Sequence, residues 1–297
     1  MREEQKGELF IFSGAVIWGL FPIITILSYK SLPSIISLAL CTLLASITFL
    51  IIVLWKRKLP ELKNPLLWKY TLGVAFFNGI LYYVFYFWGL TKTTSGNAGI
   101  IALFEVFTSY IFFHIIRKEH FSLESKIGSI LMILGAVIIL IPNFSFVNFG
   151  DLFILIATLF APMGNFFIQK AKNISSTETI MFLRNLIAIP FLFLIAFIFG
   201  QHLELPQVKN SFLFLLLNGL IILGLSKIFW VEGISRISVT KSVALSSVAP
   251  LFTLFAAWVV FHQVPTIWQT ASLAPFFFGV LLLTNNLKLK NDYASPN

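Results

Sequence analysis

Charged side chains are scarce in this chain. Only 11% of its 297 residues are Asp, Glu, Lys or Arg, while 58% are hydrophobic; a soluble domain carries about 25% charged residues. Without a lipid environment, so few charges would leave very large apolar patches in contact with water. The composition therefore excludes a soluble enzyme, a secreted disulfide scaffold and a disordered chain, and it predicts an integral membrane protein.

Cysteine and the usual catalytic motifs are also missing. The single cysteine, Cys41, excludes an intramolecular disulfide and a cysteine-rich metal site. The sequence has no nucleophile elbow GxSxG, no zinc-protease HExxH and no phosphate-binding loop, and its four histidines are scattered. We therefore expect no enzyme, no cofactor and no metal. Because no nucleotide-binding domain is present, an ion gradient or exchange must drive any uphill transport.

In place of charges and catalytic motifs, the sequence has long apolar segments. A helix that crosses a bilayer needs about 20 mostly apolar residues, and ten segments meet this requirement. The predicted fold class is therefore an all-α integral membrane protein of ten transmembrane helices, with no room for a soluble domain. Pro22, Pro162 and Pro250 are expected to kink their helices. The predicted spans are 9–28, 35–55, 70–90, 97–116, 127–142, 151–169, 178–199, 211–231, 242–262 and 267–287.

The positive charges predict the orientation. The chain has a net charge of +9 and 21 Lys and Arg residues. With the N-terminus inside, 16 of these residues lie on the cytoplasmic side, two fall within spans, and only Lys30, Lys92 and Lys209 lie outside. Cytoplasmic loops of membrane proteins are enriched in Lys and Arg. We therefore expect both termini in the cytoplasm of a bacterial cell, in its inner membrane, and no nucleic-acid partner.

The two halves of the sequence resemble each other. Gly-Glu-Leu-Phe at 7–10 is similar to Gly-Asp-Leu-Phe at 150–153, and Gly89 and Gly135 have counterparts in Gly233 and Gly279. The offset is 143 or 144 residues, which is about half the chain. Five spans in each half make the repeat inverted, an architecture typical of transporters with a binding site between the halves. The predicted repeats are residues 7–142 and 150–287.

Short motifs in these repeats resemble the EamA-type members of the drug/metabolite transporter superfamily over nearly the whole chain. Ala-Val-Ile-Trp-Gly at 15–19 is similar to the opening signature of that family, and Ala-Leu-Phe-Glu-Val at 102–106 to its fourth-span pattern. Arg-Lys-Glu at 117–119, Phe-Leu-Arg at 182–184 and Ala-Pro at 249–250 match further positions.

The chain departs from the family pattern at three of these positions. Val106 replaces the proline after Glu105, Cys41 stands where a first-half arginine would match Arg184, and Gln263 replaces the second counterpart of Glu119.

The resemblance implies a secondary transporter that moves a small organic solute by alternating access. An amino acid or related metabolite, exported across the cytoplasmic membrane, is the favoured cargo. The alternatives are a proton-coupled multidrug or metabolite efflux carrier, an importer, or a membrane scaffold that transports nothing. The expected partners are the solute, the bilayer and, for a coupled carrier, protons; no oligomeric state is predicted.

Three ionisable residues fall well inside the predicted spans, away from the span ends, where a charge is costly and normally faces a cavity or a partner. Glu105 is a candidate for proton coupling or for pairing with an amine, or else a hydrogen-bonded glutamate that joins two spans. Arg184 is a candidate for binding a carboxylate or phosphate, with snorkelling, carbonyl capping or a pair with Glu178 as alternatives. Lys227 either faces the site with Glu105 or snorkels to the inner interface.

Polar and aromatic residues at helical spacing add further candidates for substrate binding. Asn78, Tyr82 and Tyr86 recur every four residues and share one face of a helix. Asn165 and Gln169 form a second stripe on the sixth span, and Trp18 lies on the first. These side chains either line an aqueous cavity with aromatic walls or hydrogen-bond between helices, as in any bundle.

Overall fold

A computed structural model describes residues 3–117, 122–140, 148–234, 236–237, 242 and 245–284, and within these ranges it consists of helices and short connections. Parts of four predictions lie outside this description: Lys118 and Glu119 of the family pattern, and the ends of the fifth, ninth and tenth spans. The helices are α1 (Glu3–Gly19), α2 (Phe21–Ser28), α3 (Ser34–Trp55), α4 (Pro65–Val74), α5 (Tyr82–Leu90), α6 (Ser95–Ile101), α7 (Phe104–Arg117), α8 (Leu123–Leu140), α9 (Phe149–Lys172), α10 (Thr177–Ile198), α11 (Leu205–Leu216), α12 (Ser226–Ile234), α13 (Ala249–Phe261) and α14 (Ile267–Leu283).

Eight helical stretches in the described chain are long and apolar enough to cross a bilayer. They correspond to the first eight predicted spans, although the third begins earlier, at Pro65, and the eighth at Leu205. The remaining two helices, α13 and α14, are apolar but shorter. An all-helical membrane fold is therefore confirmed, while the count of ten spans remains a prediction.

The first span is interrupted where its proline lies. Helix α1 ends at Gly19, and α2 begins at Phe21 with Pro22 in its first turn. The hydroxyl of Thr253 in α13 donates a hydrogen bond to the carbonyl oxygen of Gly19 at 2.7 Å, which satisfies an acceptor at the end of α1. By contrast, α9 continues through Pro162, and Pro250 lies in the first turn of α13.

The third and eighth spans both widen into π-helix after an ordinary helical start. The segment π1 (Ala75–Leu81) joins α4 to α5, and the segment π2 (Leu217–Leu225) joins α11 to α12. Each contains the dipeptide Asn-Gly, at 78–79 and at 218–219. Stretches of π-helix are rare and occur mainly at functional sites, so their presence at related places in both halves marks these two spans.

Helices from opposite halves pack against each other in equivalent pairs. A Cβ placed on Gly7 of α1 would lie 3.4 Å from the Gly233 carbonyl oxygen of α12, and one placed on Gly150 of α9 would lie 2.8 Å from the Gly89 carbonyl oxygen of α5. The sequence comparison related Gly7 to Gly150 and Gly89 to Gly233. The second contact is therefore the first with the roles of the two repeats exchanged, and each half lends glycines that let the other approach closely.

A carboxylate joins the halves at the predicted cytoplasmic ends of the helices. Glu61 accepts hydrogen bonds from the Ser175 hydroxyl at 2.6 Å and from the backbone N–H of Ser176 at 2.8 Å, just before α10 begins. Burial alone would raise the pKa of Glu61, but these hydrogen bonds outweigh it and lower the pKa to about 2. The carboxylate therefore stays charged at neutral pH and caps the start of α10.

The opposite ends of the helices carry related contacts between the halves. The side-chain oxygen of Gln201, which follows α10, accepts the backbone N–H of Ile35 at 3.0 Å at the start of α3. Asp151 in the first turn of α9 is fully buried and accepts from the Asn97 amide at 3.2 Å, and the Asn97 oxygen accepts from Gln269 of α14 at 2.7 Å. Polar contacts thus join the two halves at both ends of the bundle.

Candidate functional site

The helix of the fourth span is interrupted at Ala102 and Leu103. Helix α6 ends at Ile101, α7 begins at Phe104, and Glu105 lies in the first turn of α7. The N–H groups of Glu105 and Val106 bond to carbonyl oxygens three residues back, at 3.1 and 3.0 Å, which tightens the turn. Transporter binding sites often lie at such discontinuous helices.

The ninth span has the same break in the other half. Residues 245–246 are helical, Ser247 and Val248 form a turn, and α13 starts at Ala249. At the repeat offset of 144 residues, Ala249 occupies the place that Glu105 has in the fourth span, and Pro250 occupies the place of Val106. The break recurs in both repeats, whereas the carboxylate occurs in the first repeat only.

The Glu105 carboxyl faces polar groups from both halves. Its polar neighbours are Asn165 of α9 and Tyr82 of α5. The Asn78 amide of π1 donates to the Asn165 oxygen at 3.1 Å. This approach depends on Gly164, because a Cβ at that position would lie 2.2 Å from the Asn78 Cγ. The glycine on α9 thus lets the predicted polar stripes of the third and sixth spans come together beside Glu105.

A positively charged side chain, Lys227, lies near this cluster. Lys227 of α12 acts electrostatically on Glu105, and its ammonium lies 3.9 Å from the centre of the Trp18 ring. A cation held over an indole face is stabilised by the electrons of the ring. Lys227 therefore points toward α1, and its charge acts on Glu105 from there.

Stacked aromatic rings form one wall beside these polar groups. Trp18 stacks on Phe21 at 4.7 Å, Phe21 on Tyr86 at 5.0 Å, and Tyr86 on Tyr82 at 5.8 Å between ring centres. The row runs from the ring beneath the Lys227 ammonium to the tyrosine beside Glu105. A solute with an apolar or aromatic part and a charged end would find matching surfaces here.

The other two candidates, Arg184 and Gln169, are not among the neighbours of Glu105. Arg184 of α10 is buried, with its guanidinium 5.2 Å from the centre of the Tyr83 ring. The suggested pair with Glu178 is wrong, because that carboxylate binds Lys56 instead. Gln169 is exposed one turn beyond Asn165, near the end of α9, so the structure does not bring it to Glu105.

Two comparisons with known proteins concern the whole chain. The sequence pattern of the EamA-like transporter family matches residues 5–141 and again residues 148–285. The chain belongs to the EamA-like transporter family. The "Uncharacterized transporter YoaV" of Bacillus subtilis (strain 168) is 25% identical over 280 residues, which cover 88% of this chain and 91% of that protein. The resemblance inferred from the short motifs is confirmed.

A solved structure supports the fold of this EamA-like chain. A crystal structure of another protein superposes with a TM-score of 0.70 and covers 95% of this chain and 98% of that chain at 18% identity. At that identity the likeness shows the fold alone. The family establishes a multi-pass membrane protein that transports a small solute, and it leaves the role of each site residue to the geometry.

The sequence did not predict the break in the fourth span or the π-helical segments of this EamA-like protein, whereas the break in the ninth span lies just before Pro250, where a kink was expected. One signal for the π-helical segments was present in the sequence, because the Asn-Gly dipeptide recurs at 78–79 and 218–219. In the structure, Asn218 donates a hydrogen bond to Thr25 of the other half at 3.0 Å. Within the described ranges, no group of three His, Cys, Asp or Glu side chains is placed to hold a metal. The side chains around Glu105 offer charge pairing, hydrogen bonding and aromatic contact.

Proposed function

We propose that this protein is a secondary transporter that moves an amino acid or a closely related small metabolite outward across the bacterial inner membrane. One observation carries the proposal: Glu105 and Lys227, charges of opposite sign contributed by different repeats, interact electrostatically next to a row of aromatic rings. An amine can pair with the carboxylate while an apolar part of the solute packs on the rings.

Alternating access between the two halves is the proposed mechanism. Asn78 bonds to Asn165 of the opposite half, and Asn218 bonds to Thr25 of the opposite half. Each bond arises from a π-helical segment, so a change in either segment alters a contact between the repeats. A solute that binds Glu105 competes with Asn165 for the carboxylate. Binding therefore favours one arrangement of the two halves over the other.

Flux measurements in liposomes test this proposal. Liposomes that contain the purified protein are loaded with the twenty common amino acids, and the amino acids that leave are identified by mass spectrometry. We expect at least one of them to leave faster than from protein-free liposomes. The variant Glu105→Gln should lose this flux because it removes the charge that holds the amine and keeps the shape of the side chain.

The matched control is Glu204→Gln, which removes an exposed carboxylate at the start of α11. This variant should retain the wild-type flux. Equal flux in the Glu105→Gln and Glu204→Gln proteins would overturn the assigned site, and no flux of any solute in the wild type would favour the scaffold instead.

Proton coupling is a second candidate for the same carboxylate. Glu105 is contacted by Tyr82 and Asn165 and lies in the field of Lys227, and a carboxylate in such surroundings can exchange a proton for a cationic solute. A pH-sensitive dye inside the liposomes would report proton movement that is linked to amino-acid efflux. Efflux without any pH change would identify the protein as an uncoupled facilitator.

A further inference from the structure

Arg184 carries a buried positive charge that the proposed site does not use. It is only 5% exposed, and it lies seven residues into α10, roughly 10 Å along the helix. Its contacts are the Tyr83 ring at 5.2 Å and the Met181 sulfur at 3.6 Å, while its Nε has no hydrogen-bond partner. Throughout the described segments, no carboxylate forms an ion pair with Arg184.

Such surroundings leave the charge only partly compensated. A buried ion is normally paired, because transfer out of water removes its hydration. A tyrosine face and a thioether offset part of this cost, and neither supplies a negative charge. Within a membrane, an ionisable residue in this condition typically faces the path of an ion or substrate.

The other repeat shows that the fold does not need a cation at this place. The counterpart of Arg184 is Cys41, which is fully buried. A Cβ on Gly79 of π1 would lie 3.5 Å from the Arg184 Cγ, and a Cβ on Gly219 of π2 would lie 3.3 Å from the Cys41 Cα. The same helix–glycine contact is therefore made once at a cysteine and once at an arginine, so this packing does not by itself require the arginine.

Arg184 lies directly behind the wall of the proposed site. The Tyr83 ring meets the Tyr82 ring edge-on at 5.1 Å, and Tyr82 is a neighbour of Glu105. Asn78, next to Gly79, has a buried oxygen without a hydrogen-bond partner. A group that extends from Glu105 past Tyr82 thus approaches the guanidinium.

We propose that Arg184 binds the carboxylate of the transported solute while Glu105 binds its amine, which makes the cargo a zwitterion. This inference rests on the proposed transport function. A guanidinium forms two parallel hydrogen bonds with one carboxylate. The other intramembrane cation, Lys227, lies over Trp18, so Arg184 acts alone, and one positive charge balances a carboxylate better than a doubly charged phosphate.

Three compounds that share a phenyl ring test the proposal on the wild-type protein. Phenylalanine has both charged groups, phenethylamine lacks the carboxylate, and 3-phenylpropionate lacks the amine. Each is titrated against the purified protein, and the rise in melting temperature gives its relative affinity, because a ligand that binds only the folded state stabilises it. We expect phenylalanine to bind about tenfold or more tightly than either partial analogue.

The variant Arg184→Gln tests whether Arg184 is the group that binds the carboxylate of the solute. We expect it to bind phenylalanine no better than phenethylamine, and Arg184→Lys to recover part of the difference. Lys209→Gln, which removes an exposed positive charge near the start of α11, should behave as the wild type.

Several outcomes would overturn the inference. One is an Arg184→Gln protein that retains the wild-type preference for phenylalanine. Another is a wild-type protein that binds all three compounds equally or binds none of them. The wild-type result decides even if the variant does not fold. The proposed function fails separately, when the amino-acid flux is absent or survives Glu105→Gln.

Discussion

The replacement of Gly164 by alanine is the sharpest structural test of the site. A Cβ at this position would lie 2.2 Å from Cγ, 2.3 Å from Oδ1 and 2.5 Å from Nδ2 of Asn78. Atoms of this kind need more than 3 Å, so the amide must move by about 1 Å or α9 must move away. Either change breaks the hydrogen bond from Asn78 to Asn165, which is 3.1 Å long.

The expected loss of stability follows from three contributions. A hydrogen bond between membrane helices contributes about 0.6 kcal/mol on average, and overpacking of a filled core costs about 1–3 kcal/mol. A change from glycine to alanine within a helix recovers about 0.5–1 kcal/mol. The net expectation for Gly164→Ala is a loss of about 0.5–3 kcal/mol, together with a larger loss of transport, because Asn165 also contacts Glu105.

The assay combines the melting temperature of the purified protein with amino-acid efflux from liposomes. Gly14→Ala is the matched control, because a Cβ there would lie 3.6 Å from the Phe229 Cβ, an ordinary contact distance. We expect this control to be as stable as the wild type or slightly more stable, with unchanged efflux. If Gly164→Ala matched the control in both measurements, the close approach of α9 to Asn78 would be refuted.

Three further predictions concern contacts between the halves. Because the pKa of Glu61 is lowered to about 2, its contribution to stability is present above pH ~4.5 and lost as the pH falls toward 2, so the difference in melting temperature between wild type and Glu61→Gln should shrink in acid. A double-mutant cycle of Asn218→Ala and Thr25→Ala, followed by denaturant unfolding, should give a coupling energy of about 0.6 kcal/mol. Thr253→Val should lower stability by about 1–3 kcal/mol in the same assay, because the Gly19 carbonyl oxygen loses its side-chain donor.

The helical membrane fold could be predicted from composition and run length alone. Eight of the predicted spans match helices that are long enough to cross a bilayer, because apolar content over about 20 residues is a local property of the sequence. The repeat could be predicted from a few glycines, since close approach of two backbones requires glycine wherever it occurs. Gly7 was matched to Gly150 by a recurring four-residue motif, and Gly89 to Gly233 by the nearly constant offset.

The break in the fourth span could not be predicted in the same way. The sequence at 102–106 contains neither proline nor glycine, and the turn before Glu105 is held by hydrogen bonds within the chain and by its neighbours. Likewise, nothing in the local sequence places Lys227 over Trp18 or Arg184 over Tyr83. These contacts join residues from different halves of the chain, and tertiary packing decides them.

The repeat itself separates the residues that build the fold from those suited to recognise a solute. Contacts needed for folding occur twice with the roles exchanged, as in the pairs Gly7–Gly233 and Gly89–Gly150. The three intramembrane charges occur once: the counterpart of Glu105 is Ala249, that of Lys227 is Tyr83, and that of Arg184 is Cys41. Because a symmetric scaffold is stable with neutral residues at those places, the charges have to be explained by something that is not symmetric. A solute with a different group at each end is such an object, and it would bind in one orientation between two otherwise equivalent halves.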